Sequence, residues 1–414
     1  MISRRFGNSV AVAFCLMAGV VFAEFNKDAV ATAHLVRPLL VCALLAVVVG
    51  AVCQMAGRYA VPVAAGAGLL IAKADLVSVL LVSILAVVIL ILRIARKDVD
   101  LSKPLTALTV VFLVSGVALA VPHIRVDVEP PPPPPDRPTY LILVDGYPRV
   151  DTLAQFGIDN TDFISALEQR GFDHYPDART DYGWTHLTLA QVLGSTINYE
   201  DDWGSAADRR RVWEWLRLPE GFVVVGSSSS HTVIADAKDI GPGGITGFDV
   251  AVLSRSAFAP LVGDLVMDGL RRRLEGSLEA LATTDEELVF AHLAAPHLPF
   301  LYTDEGKPAP APKCWPRCQL FDIVIERVGL ATDDWVDGMT ASLNHLNPRL
   351  LEAVDSILER KPEATIVLFS DHGARYSLAD PDEWHRSFLA ARTPEHPALF
   401  ADRPTPAGLL ERLP

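Results

Sequence analysis

Three apolar runs in the second half of the chain end in residues that a buried strand does not need. Asp145 follows LILV, His292 and His297 follow LVFA, and Ser370-Asp371-His372-Gly373 follows TIVLF. In open α/β sheets ligands collect outside the carboxyl ends of the strands, so these carboxylates and imidazoles are candidates to meet in one crevice. Singly, each has a plainer reading: an Asp after a strand caps a turn or a helix, and a lone His is commonly just a hydrogen-bonded polar group. Thr185, within RTDYGWTHLTLAQVLGS at 179–195, opens an apolar-periodic stretch. Its oxygen can cap that helix. Equally, a hydroxyl at a helix amino terminus lies where free N–H groups and the macrodipole favour an anion, the surroundings a nucleophile needs to attack a phosphate or sulfate ester.

The elements that must position these residues are legible as a pattern. From Tyr140 onward, short apolar runs alternate with amphipathic stretches, which predicts an α/β domain over 139–414. Strands are expected at 139–146, 221–227, 287–294 and 364–371. Helices are expected at 160–170, 185–194, 206–217, 262–282 and 340–360, where apolar residues recur three and four apart.

Taken in order, strand-Asp (Asp145), hydroxyl (Thr185), HLAAPHLPF (292–300) and SDHG (370–373) resemble the alkaline phosphatase superfamily, and within it the membrane-bound sulfatase-like hydrolases and transferases. The resemblance implies a central mixed, mostly parallel sheet flanked by helices. It further implies that Asp145, Asp371 and His372 hold one divalent cation, with Thr185 as both fourth ligand and nucleophile and His297 against the transferred group or the leaving oxygen. Two carboxylates with an imidazole form a mixed oxygen and nitrogen donor set suited to Zn²⁺ or Mn²⁺. His292, His385 and Arg386 are further candidates for contacting substrate. A second metal is not expected, because His292, Asp355 and His385 do not fall into its pattern and Asp355 is expected on the solvent face of its helix.

The five-helix anchor described below is similar to that of lipoteichoic acid synthases and phosphoethanolamine transferases. The chain departs from them in carrying Asp145 where they generally have Glu. Cys314-Trp315-Pro316-Arg317-Cys318 comes close to the Cys-x-Pro-x-Arg sequence that sulfatases convert to formylglycine. The arginine is one residue early and the segment lies far downstream of Thr185, which excludes a formylglycine sulfatase and favours phosphate ester chemistry. The expected activity is therefore phosphoryl-type transfer or phosphodiester cleavage on a membrane lipid or cell-envelope glycan. The alternatives are a phosphomonoester or sulfate-ester hydrolase of soluble substrates, and a non-enzymatic relative that binds envelope polymers.

The first 122 residues carry the membrane signal. Apolar stretches lie at 8–24, 38–57, 59–72, 76–95 and 104–122, the third short and rich in Gly and Ala. Arg4 and Arg5 precede the first, and Arg93, Arg96, Lys97 and Lys103 crowd the loop before the last. Both clusters fall on the cytoplasmic side only if all five stretches cross, which makes this a multi-pass plasma (inner) membrane protein whose domain after residue 122 is extracytoplasmic. Residues 123–138 form a linker in which Pro130 to Pro135 favour a stiff polyproline rod. A net charge of −14 with no dense basic patch in the soluble half argues against nucleic acid. Of the five cysteines, Cys15, Cys42 and Cys53 sit in or beside apolar spans, whereas Cys314 and Cys318 are a candidate disulfide on the oxidising side.

Overall fold

The computed structural model describes residues 2–27, 35–72, 133–193, 218–226, 238–316, 329–376, 380–396 and 399–413, together with positions 81, 82, 85, 89, 107, 110, 114 and 325. The chain divides into two compact units. One comprises Met1–Ile124 with Gly247–Val262, and the other Arg125–Thr246 with Gly263–Pro414.

In the first unit, α1 (Ile2–Lys27), α2 (Val36–Cys53) and α3 (Ala60–Ala72) pack together, and Ala257 of the distant segment donates its N–H to the Ile71 carbonyl at 3.1 Å. Among the described residues two helices, not five, are long and apolar enough to cross a membrane, over Arg5–Phe22 and Val36–Gly57. Of the expected span at 59–72, Ala60–Ala72 is helical. The spans expected at 76–95 and 104–122 lie largely outside the described residues. The small residues of α3 let it approach α1 closely: a Cβ at Gly68 would lie 3.0 Å from the Ala13 carbonyl oxygen and 3.1 Å from its Cα.

The second unit is built on a seven-stranded mixed sheet in the order β2-β7-β6-β1-β5-β3-β4. Its strands are β1 (Thr139–Val144), β2 (Asp173–His174), β3 (Phe222–Val225), β4 (Lys238–Asp239), β5 (Leu288–Leu293), β6 (Thr365–Phe369) and β7 (Leu389–Arg392). The four apolar runs became β1, β3, β5 and β6, which are all parallel where they pair. Each is buried along its whole length, as expected for strands covered on both faces. Strand β7 pairs antiparallel with β6 and β2 and makes the sheet mixed.

Alternation along β1 sends Tyr140, Ile142 and Val144 to one core and Leu141 and Leu143 to the other. The first core is closed by α4 (Val150–Gln155), α5 (Thr161–Glu168), α7 (Ala259–Thr283) and α8 (Thr332–Arg360); the second by α6 (Thr185–Val192) and the C-terminal Leu409 and Leu410. In α8 the buried residues Trp335, Met339, Leu343, Leu346, Leu350, Val354 and Ile357 recur three and four apart, forming one apolar stripe. That helix begins eight residues before the expected 340, because Trp335 and Met339 continue the stripe through polar neighbours. The helix expected at 206–217 lies outside the described residues.

Candidate metal centre

Strand β1 lies between β5 and β6, with Leu143 in register with His292 on one side and Phe369 on the other. Three adjacent parallel strands therefore deliver Asp145, His292 and the Asp371-His372 pair to the same end of the sheet. The turn after β5 then brings back His297, whose N–H donates to the Asp145 carbonyl at 3.1 Å. One ligand atom from each of Asp145, His297 and His372 falls within 4.8 Å of the others, and Asp371 Oδ2 lies 3.5 Å from His372 Nε2.

Both imidazoles are held in the tautomer a cation requires. His297 Nδ1 donates to the Leu298 carbonyl at 2.8 Å and His372 Nδ1 to the Gly373 carbonyl at 2.7 Å, which leaves each Nε2 lone pair free to face the carboxylates. On Asp145, Oδ2 accepts from His292 Nε2 at 3.0 Å, and Oδ1 stands 3.3 Å from His372 Nε2. Asp145 Oδ1, Asp371 Oδ2 and His372 Nε2 are buried and make no hydrogen bond. Three converging acceptor atoms without a proton among them are costly to bury, and a divalent cation satisfies all three at once. The donors are oxygens and imidazole nitrogens, so they fit the expected Zn²⁺ or Mn²⁺.

The electrostatics agree with that fit. Burial pushes the Asp145 carboxyl up, but the facing His297, His292 and His372 outweigh it and hold the group well below the usual carboxylate range. Burial pushes the His297 imidazole down, and His372 and Arg375 add to this against the pull of Asp145, so the neutral ring is favoured.

Two glycines and a serine set the spacing. Gly146 adopts φ +66°, and a Cβ there would lie 3.1 Å from His297 Cδ2 and 3.2 Å from His372 Cε1. Gly146→Ala is expected to cost about 1–2 kcal/mol from the left-handed backbone alone and to push the imidazoles apart. A lower melting temperature together with weaker zinc binding checks this, and a loss of stability with zinc affinity intact would refute the spacing role. Ser370 Oγ accepts from Tyr147 N at 2.9 Å and donates to the His372 carbonyl at 2.8 Å, tying the loop after β1 to the loop after β6. A Cβ at Gly373 would overlap the Glu383 carbonyl oxygen, and the buried Glu383 carboxylate accepts the Ala374 and Tyr376 N–H groups at 2.6 and 3.2 Å.

No family model matches the chain, and no curated protein matches it. Among solved structures it is similar to the C-terminal periplasmic domain of EptC from Escherichia coli in complex with Zn, at 13% identity and a TM-score of 0.39, with 68% of this chain and 84% of that one covered. It is similar at 13% identity and a TM-score of 0.38 to the periplasmic domain of the phosphoethanolamine transferase EptC from Campylobacter jejuni, over 66% and 87% of the two chains. The integral membrane lipooligosaccharide phosphoethanolamine transferase A from Neisseria meningitidis is matched at 13% identity and a TM-score of 0.35, over 93% of this chain and 73% of that one.

The remaining candidates divide. Thr185 is the first residue of α6, after Trp184 in extended conformation, and is 8% exposed. One turn on, the Thr188 hydroxyl donates to the Asp371 carbonyl at 2.9 Å, so the face of α6 shared by Thr185 and Thr188 is turned toward the Asp371 loop. His292 is only 2% exposed and grips Asp145 Oδ2, which sets it to orient a ligand rather than to meet a substrate. His292→Phe, which keeps the packing, is expected to weaken zinc binding about 10–100-fold; unchanged affinity in a zinc titration would mean that the ring only fills space. His385 Nδ1 donates to the Thr180 carbonyl at 2.9 Å, and Arg386 is engaged by Asp382 at 3.0 Å and Asp380 at 3.9 Å. His385 lines an open groove with Arg179, Thr180, Asp181, Pro381 and Asp382 rather than the cluster. Asp355 is on the solvent face of α8 and pairs with Arg170 at 2.6 Å. Cys314 is disulfide-bonded while Cys15, Cys42 and Cys53 are free; Cys318 lies outside the described residues.

Sequence reasoning missed Gly146, Glu383 and Arg375. Gly146 directly follows Asp145, and a glycine at a strand end is a legible signal of close backbone approach. Glu383 acts on two backbone amides, and no spacing announces that.

Proposed function

We propose that the chain is a membrane-anchored, metal-dependent phosphoryl-type transferase or phosphodiesterase that acts on a lipid or cell-envelope glycan through Thr185. The observation that carries the reading is the convergence of Asp145, His297 and His372, with Asp371 beside them, on three buried atoms that lack hydrogen bonds. Asp145, Asp371 and His372, with either His297 or Thr185 completing the set, would hold the ion. When bound, the cation supplies Lewis acidity that eases loss of the threonine proton and offsets charge on the phosphoryl oxygens. Thr185, at the amino terminus of α6, attacks phosphorus and takes the phosphoryl group in covalent form, where the positive end of the helix dipole favours the added negative charge. Where His297 does not serve as a ligand, its Nε2 lone pair takes the proton that Thr185 loses and then passes that proton to the leaving oxygen. A hydroxyl or amine on the acceptor then takes the group from Thr185 and regenerates the enzyme. The apolar N-terminal helices would keep this chemistry close to a bilayer, which favours lipid-linked substrates over soluble ones.

The test is cleavage of bis-p-nitrophenyl phosphate by the full chain in detergent, before and after stripping with a chelator and readdition of Zn²⁺ or Mn²⁺. Activity that appears only with metal supports the reading; activity indifferent to metal sinks it. Incubation with labelled membrane lipid separates transfer, where label moves to a second molecule, from hydrolysis to water.

Zinc uptake should also depend on pH with a definite sign. Because the His297 ring is pushed below its ordinary value, protons compete with the ion only under about pH 6.5, the usual imidazole midpoint. Affinity measured against a competing chelator is expected to be flat above about pH 6.5 and to fall below it. An affinity still climbing steeply above neutrality would contradict the assignment.

A further inference from the structure

The segment Gly247–Val262 lies far along the chain but belongs to the same compact unit as the apolar N-terminal helices. Two bonds fasten it there. Arg37, at the start of α2, donates to Asp249 at 2.9 Å, and Ala257 donates its N–H to the Ile71 carbonyl at the end of α3. Because Asp249 and Ala257 lie on one short stretch, the start of α2 and the end of α3 stand at the same level. An arginine at the end of an apolar helix keeps its charged head at the edge of the hydrocarbon, so that level is the interface between lipid and water. The orientation expected from the basic clusters makes it the extracytoplasmic interface. In that orientation α1 runs outward, α2 begins outside, and the domain after residue 122 lies outside as well.

Immediately beyond this fastening the chain exposes apolar side chains. Leu261 is 82% exposed and Leu265 55%, one turn apart on α7, and no other large apolar side chain is exposed among the described residues after 122. Ala257 and Pro260 are exposed beside them. Single exposed leucines are ordinary, but these two share one helix face next to a contact at membrane level. In the same unit, α2 carries the exposed stripe Leu40, Leu44, Val48 and Val52, the surface a spanning helix turns to lipid. The carboxylates near the leucines are turned to partners of their own: Asp264 accepts the Ala311 N–H at 2.9 Å, and Asp268, past Leu265, pairs with Arg271.

We propose that residues 257–265 form a membrane-seating surface, with Leu261 and Leu265 inserted among the acyl chains just below the headgroups of the extracytoplasmic leaflet. The proposal rests on the membrane-anchored part of the reading above and is independent of the metal chemistry. Removing two leucines from water into the lipid of a bilayer that the neighbouring helices already enter adds apolar burial without a further span. Since α7 runs on into the catalytic domain, the seat gives that domain a second hold on the bilayer besides the anchor helices.

The experiment is photocrosslinking of the full chain reconstituted in phosphatidylcholine vesicles. The photoreactive residue p-benzoylphenylalanine replaces Leu261, Leu265, Leu44 or Asp355, one at a time, and the products are read by intact mass and by gel. On illumination the proteins labelled at Leu44, Leu261 and Leu265 are expected to gain the mass of one phosphatidylcholine, because the ketone inserts into a lipid C–H bond without losing an atom. The protein labelled at Asp355, on the solvent face of α8, is expected to gain none. A lipid adduct at Leu44 with none at Leu261 and Leu265 would overturn the proposal and leave the anchor standing. A covalent dimer through Leu261 in place of the lipid adduct would also overturn it, in favour of a second copy of the chain as the occupant. Adducts at Asp355 as abundant as those at Leu261 would do the same, as the mark of unselective capture. Absence of a lipid adduct at Leu44 would instead bring down the membrane reading, and this proposal with it.

Discussion

Thr185→Ala is expected to lower turnover of a phosphodiester by about 10⁴-fold or more, the scale on which loss of a nucleophile is felt when the rest of the site survives. The substitution removes the hydroxyl and the γ-methyl of the first residue of α6, whose N-cap position is held by Trp184 and not by Thr185. Its neighbour Thr188 still fastens the helix to the Asp371 loop, and the melting temperature should stay within a few degrees of wild type. Thr185→Ser keeps the hydroxyl but frees it to rotate, and should retain measurable activity. Intact-mass analysis after incubation with substrate gives the decisive contrast: wild type and Thr185→Ser gain the mass of the transferred group, and Thr185→Ala does not. An adduct that persists in Thr185→Ala would place the nucleophile elsewhere.

Much of this architecture was legible because the central strands of a parallel sheet are buried on both faces and so read as unbroken apolar runs. TYLILV, FVVV, LVFAHL and TIVLF could be strands or little else at their length. Strand β7 escaped because LAAR is short, has no β-branched residue and gains its place only by pairing with β6. The site was half legible for a related reason. Asp145, Asp371 and His372 are polar residues placed where strands stop, and adjacency of β1, β5 and β6 then does the rest. What spacing could not tell was the division of labour between His292 and His297. The two rings are five residues apart in sequence, but one is inside β5 and the other lies in the turn beyond it. The first is thereby locked against Asp145 from within the sheet, and the second is returned to the open side of the cluster. The apolar N-terminal segment carries a break that hydropathy does not register: Gly57, at φ +60°, interrupts the helical path between α2 and α3.

Asp145→Asn should have the largest effect on metal, because this one carboxylate meets three imidazoles, His292, His297 and His372. The amide is isosteric and can keep a hydrogen bond to His292, so the exchange removes charge and little else. Zinc affinity is expected to fall by more than the about 10–100-fold assigned to an outer partner such as His292. Stability should move too. The Asp145 carboxyl is held well below its ordinary range, so its contribution is present above about pH 4 and lost as the pH falls through the depressed value. Asn removes that contribution at neutral pH, and the variant's stability should be correspondingly flat across the acid range where wild type declines. Asp145→Glu separates charge from reach. It restores the carboxylate, but His292 fixes one oxygen at 3.0 Å, so an added methylene displaces the other from its place 3.3 Å from His372 Nε2. Zinc affinity should therefore rank wild type above Asp145→Glu and Asp145→Glu above Asp145→Asn. If Asp145→Asn bound zinc as tightly as wild type, the ion would have to be held by His297, His372 and Asp371 without the strand that stands between them.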